Sequence, residues 1–100
     1  MSVYFIASYD IDDQDEYNRY VQGVIPTLMA HKGEVLVADY AANHLEGTPK
    51  HAHIVLRFEN EAALMGWYNA PEYEPLKAQR LSITSNGTTV GAKQFVMPQG

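Results

Sequence analysis

The strand-like stretches of this 100-residue chain are apolar on both faces, and no other feature narrows its possible folds so far. Successive side chains of a strand point to opposite sides. In Ala52–Phe58, one side carries Ala52, Ile54, Leu56 and Phe58, and the other carries His53, Val55 and Arg57, with His51 just before them. In Val3–Tyr9, the set Val3, Phe5, Ala7, Tyr9 opposes Tyr4, Ile6 and Ser8. An antiparallel sheet with helices on one side and water on the other alternates apolar with polar residues. Neither stretch does so. Both faces need cover and the chain has no spare helix to supply it, so a second copy of the same sheet is the cheapest cover. The expected partner is the chain itself, in a homodimer through the sheet face.

The remaining elements follow from period and punctuation. Asp13 is placed to cap a helix with Glu16 three residues on, and Tyr17, Tyr20, Val21, Val24, Ile25 and Leu28 then recur at helical spacing. Pro26 removes a backbone donor inside that pattern, which predicts a bend near Gln22 or a restart at Pro26, and Gly33 is the predicted stop. Glu34–Tyr40 reads as a second strand and Ala52–Phe58 as a third, joined through the turn residues Gly47 and Pro49. Asn60 is a predicted cap for Glu61–Tyr68, and Pro71 a predicted first residue of a helix reaching about Leu81. Asn86-Gly87 reads as a turn and Thr88–Met97 as the last strand. The order is βαββαβ over one domain, residues 1–100. That is an α+β, ferredoxin-like pattern: a four-stranded antiparallel sheet with helices on one face.

Charge and composition exclude several functions. A net charge of −5 with scattered Lys and Arg gives a phosphate backbone little to hold, so no nucleic acid is expected. The third strand's outer residues, His53, Val55 and Arg57, also lack the stacking aromatics of an RNA-binding sheet. No run approaches a membrane span, and Met1-Ser2-Val3-Tyr4 does not begin a signal peptide, so a cytoplasmic protein with no membrane partner is expected. The absence of cysteine removes disulfides, thiolate metal sites and cysteine nucleophiles together. Neither a phosphate loop, a nucleotide fingerprint nor a Ser-His-acid order is present.

Three groups of residues carry possible chemistry. Tyr68, Tyr73 and Arg80 come first: Tyr73 and Arg80 are two helical turns apart, so they share a face. Arg80 offers a planar fork for a carboxylate, and the tyrosines offer hydroxyls at the edge of an apolar wall. The plainer reading is that Tyr73 packs in the core while Arg80 pairs with Glu72, Glu74 or a sheet carboxylate. The second group is His51-x-His53, a chelate spacing on a strand, with Asp39, His44 and Glu46 upstream. Two histidines without an assured third ligand do not make a metal site, so no metal is expected. The acidic run Asp10, Asp12, Asp13, Asp15, Glu16 lacks the glycine and spacing of a calcium loop and reads as a solvated helix entrance. Third, Glu46 of Leu45-Glu46-Gly47 is a carboxylate fit to act as a base or an arginine partner, or simply a turn residue.

With Tyr17, Tyr20, Pro26, Gly33, Leu45-Glu46-Gly47, Phe58, Trp67-Tyr68, Pro71-Glu72-Tyr73, Leu76-Lys77 and Arg80, the chain resembles the family known as domain of unknown function 1330. The resemblance implies a dimeric α+β barrel and no particular reaction. It leaves two functions open. One is a homodimer that binds or transforms a small organic acid or carbonyl compound in a helix–sheet cleft without a cofactor, with Tyr68, Tyr73, Arg80, His53, Arg57 and Glu46 as candidate ligand-binding residues and no assigned catalytic group. The other is a non-catalytic small-ligand sensor or interaction module.

Overall fold

A computed structural model describes residues 1–98, so the last two residues of the expected 1–100 domain lie outside the described residues. The elements are β1 (Val3–Ile11), α1 (Gln14–Ala30), β2 (Glu34–Asp39), β3 (Ala52–Phe58), α2 (Glu61–Tyr68), α3 (Glu74–Ile83) and β4 (Thr84–Lys93). The strands form one antiparallel sheet in the order β2-β3-β1-β4. The inward side chains Val3, Phe5, Ala7, Tyr9, Leu56 and Phe58 are buried against the helices. This is the α+β, ferredoxin-like class expected from the element order.

Local signals explain the main boundaries, and several differ from the sequence reading, among them the end of the last strand, which is Lys93 and not Met97. The Asp13 side chain accepts from the Glu16 amide at 3.1 Å, and Asn60 accepts from that of Ala63 at 2.8 Å, so both expected caps form. The first helix does not restart at Pro26 but runs through it. Pro26 and Gln22 both lie on the exposed face, so water can reach the Gln22 carbonyl that the proline leaves unpaired. The third helix starts at Glu74 rather than Pro71. In a helix begun at Pro71, the ring of Pro75 would strike the Pro71 carbonyl; in the first turn of a helix begun at Glu74 it costs nothing. The last strand begins directly after that helix, at Thr84, and Asn86-Gly87 lies inside it. There Asn86 takes φ +52° where the β1–β4 register shifts between Ser8 and Asp10. The dipeptide's turn chemistry serves a β-bulge instead of a loop.

Gly33 also acts otherwise than expected. The left-handed residue closing α1 is Lys32, at φ +59°, while the Gly33 amide donates to the Leu28 carbonyl at 2.8 Å. The two residues complete a Schellman closure. Glycine is needed at 33 for space, since a Cβ there would stand 2.9 Å from the Phe58 ring.

The core is built on Trp67. Its ring stacks on Tyr73 at 4.2 Å and meets Phe5 edge-on at 5.4 Å. Its indole Nε1 donates to Thr27 Oγ1 at 3.0 Å, and Thr27 in turn donates to the Val24 carbonyl at 2.7 Å. The one polar atom of the indole is therefore satisfied by α1, which ties α2 to α1 through the interior. Among the described residues, no helix is long and apolar enough to cross a membrane.

On the sheet's other face, the register aligns Val37 with Val55, Val55 with Ile6 and Ile6 with Val90. This β-branched row crosses all four strands. Val37, Ile6 and Val90 keep 40%, 41% and 47% of their surface exposed, so within one chain the row is left largely uncovered. The semi-apolar second face read from the sequence is present in the fold.

Candidate functional site: a tyrosine-framed cavity under the first helix

A cavity of about 130 Å³ lies between α1 and the sheet. Its floor includes Phe5, Ile54 and Leu56 from the sheet, and its roof Val21, Val24 and Leu28 from α1. Ile25, Val35 and Tyr40 also line it and are themselves about half exposed, so the opening lies between α1 and the edge strand β2.

The polar end is made of tyrosines and one arginine. The Tyr9 and Tyr17 hydroxyls are 2.6 Å apart, and the Tyr17 hydroxyl is 3.3 Å from that of Tyr40. The Tyr20 and Tyr73 hydroxyls are 2.8 Å apart. Arg80 is 4% exposed, and its Nε donates to the Tyr73 hydroxyl at 3.5 Å. That long bond is the one side-chain hydrogen bond it makes among the described residues, and none of their carboxylates lies within ion-pair distance. The acids beside it in sequence are engaged elsewhere: Glu72 with His31 Nε2 at 2.7 Å, and Glu74 with Lys77 at 3.4 Å. Among the described residues, no fully enclosed side-chain polar atom lacks a partner. Arg80 is among the residues that line the cavity.

Burial holds the hydroxyls neutral. Desolvation pushes the pKa values of Tyr9, Tyr17 and Tyr20 above the ordinary tyrosine value, and for Tyr17 and Tyr20 the neighbouring phenols raise them further. For Arg80, burial acts to lower the pKa, and the oxygens of Tyr73, Tyr20 and Tyr9 outweigh it, leaving the guanidinium above its ordinary value. At neutral pH the polar groups at this end of an otherwise apolar cavity are thus a fixed cation and neutral hydroxyls that are bonded to one another. Such a set donates hydrogen bonds to an anionic or carbonyl oxygen and has nothing with which to remove a proton.

The residues singled out in the sequence are spread over the molecule. Arg80 lines the cavity, and fully buried Tyr73 braces it from behind. The Tyr68 ring lies 6.2 Å from that of Tyr73 but does not line the cavity: Lys77 Nζ is 4.1 Å from its centroid, and it borders a groove with Thr89, Val90 and Gly91. Glu46 and His53 border a separate depression under the β2–β3 connection. Arg57 is exposed and bonds Ser2 Oγ at 3.0 Å and Glu34 at 3.4 Å. His51 accepts the Ile11 amide on Nδ1 at 2.9 Å, and no group of three metal-ligating side chains occurs among the described residues. Sequence reasoning missed Tyr9, Tyr17, Tyr20 and Tyr40 as a polar group. The available signal was the buried phase of β1 and α1, which sends phenol oxygens inward where each needs a partner.

Comparison with known proteins supports the fold. A protein of unknown function from Rhodopseudomonas palustris superposes with a TM-score of 0.82 at 12% identity, covering 96% of this chain and 84% of that one. A dimeric ferredoxin-like protein of unknown function from a Jannaschia species gives 0.68 at 11% identity, covering 94% and 100%. Another, from Thermobifida fusca, gives 0.65 at 15%, covering 91% and 89%. No curated protein matches. Residues 2–91 match the model of a domain of unknown function, DUF1330, and the chain belongs to that family.

Proposed function

We propose that the protein is a homodimer that binds a small organic acid or carbonyl compound in the α1–sheet cavity of each subunit. The observation that carries the binding site is Arg80, a buried cation without a carboxylate partner, facing an apolar cavity among neutral hydroxyls. A buried charge is strongly unfavourable unless something compensates it, and a bound anion is the missing compensation. Two observations support the dimer: the exposed row Val37–Val55–Ile6–Val90, and the dimeric state of two structural neighbours with the same fold. Two such sheets face to face would cover each other's rows in a dimeric α+β barrel.

A ligand-sensing module uses these groups as readily as a cofactor-free enzyme. The lining favours binding over proton abstraction, because no imidazole or carboxylate is part of it among the described residues. Sedimentation at micromolar concentration should report about twice 11.2 kDa, and a folded monomer would refute the assembly. Small carboxylates should raise the melting temperature of the protein but not of its Arg80→Met variant. Recovery of the bound acid unchanged after prolonged incubation identifies a sensor, and its conversion identifies an enzyme.

A further inference from the structure

We infer that the ligand of the α1–sheet cavity is an aromatic monocarboxylate: one anionic head on Arg80 and a single-ring apolar body in the space between α1 and β2. This rests on the proposed anion site and narrows it. The head is limited to one charge because Arg80 is the sole cation lining the cavity among the described residues. A second carboxylate carried inside would be buried without a partner, which is strongly unfavourable. The body is limited to an apolar one because Val21, Val24, Leu28, Val35 and Leu56 offer it no polar atoms beyond the backbone. Size sets the third limit. An apolar cavity of about 150 Å³ takes up one benzene, and this cavity is close to that at about 130 Å³. An acetate would leave most of it empty, and a fatty acid could not be enclosed in it. A ring suits the walls better than a branched chain of equal volume, since Phe5, Tyr17, Tyr20 and Trp67 present ring edges and faces to it. The tyrosine hydroxyls share most of their protons with one another, so Arg80 supplies the principal donors to the carboxylate.

Calorimetry or thermal shift at constant ionic strength on the unaltered protein tests this with benzoate, acetate, terephthalate and benzamide. Benzoate should bind at least about tenfold more tightly than each of the others, a factor equivalent to about 1.4 kcal/mol. Arg80→Met should abolish the preference for benzoate over benzamide. Acetate or terephthalate binding as well as benzoate would overturn the aromatic monocarboxylate while leaving an anion site in place. Benzamide binding as well as benzoate, or no binding by any of the four, would overturn the anion site as well. The panel on the unaltered protein decides these outcomes whether or not the variant folds.

Discussion

Raising the pH should unfold this protein steeply, through the tyrosines that frame the cavity. Tyr9, Tyr17 and Tyr20 are buried, with hydroxyl pKa values held above the ordinary 10. Above that value the unfolded chain releases these protons and the folded one keeps them. The unfolded state then binds fewer protons, so stability falls as pH rises, from the unfolded pKa up to the folded one. Each group contributes a slope of about 1.4 kcal/mol per pH unit, so three contribute about 4 kcal/mol per unit once fully engaged. A domain of this size holds roughly 5–15 kcal/mol, so a few pH units above 10 should consume it. Urea unfolding followed by circular dichroism from about pH 9 upward gives the slope, and tyrosinate absorbance reports ionisation in parallel. In the Tyr17→Phe variant the slope should fall by about 1.4 kcal/mol per unit. The chain has seven tyrosines, and if all of them titrated near their ordinary value with the secondary structure intact, the account of a closed hydroxyl cluster would be wrong.

Other consequences are testable in the same preparations. Arg80→Met keeps the side-chain bulk and removes the buried cation, so the melting temperature should stay level or rise. A loss of about 3 kcal/mol or more would mean that the guanidinium is a paired structural group instead. Val55→Asp places a charge in the middle of the exposed row and should shift sedimentation toward the monomer without unfolding it; an unaltered dimer would remove the sheet face from the interface. The Glu72 carboxyl is held below its ordinary value of 4.5, chiefly by its bond with His31. A depressed folded pKa gives stability that is present above the unfolded value and lost as pH falls through the folded one. Glu72→Gln should therefore flatten the acid limb of the stability curve, and coincident acid limbs would show the pair to be inert. Dialysis against a strong chelator should leave the melting temperature unchanged, and a fall reversed by zinc would give His51 and His53 a role.

What the sequence made readable was what local chemistry decides. The caps Asp13 and Asn60 and the alternation in β1 and β3 are decided within a few residues, so the element order and class could be read directly. Misplaced boundaries came from residues whose local meaning depends on a neighbour. Pro71 looked like a helix start, but Pro75, four residues on, makes that start costly. Asn86-Gly87 has the conformation of a turn, but the partner strand β1 decides that it is a bulge. The site was less readable for the same reason. Arg80 and Tyr73 could be placed together by helical spacing, whereas Tyr9, Tyr17 and Tyr40, and Tyr20 with Tyr73, meet only through the packing of separate elements, which no short window contains.

The position of Arg80 brings the fold and the proposed site together. A guanidinium in an aromatic core costs stability, and a chain selected only to fold would place an apolar residue there. Here the surrounding rings are arranged to tolerate the cation without neutralising it. Tyr73 is fixed between the Trp67 face and the Tyr20 hydroxyl, and gives Arg80 one long bond. The Tyr9 ring centroid lies 5.9 Å from the guanidinium carbon, within cation–π range. Glu72 and Glu74, the nearest acids in sequence, are turned outward to His31 and Lys77. The Tyr73 and Tyr9 contacts hold Arg80 and the outward turn of the two acids leaves its charge uncancelled, which is the arrangement that the proposed anion site requires.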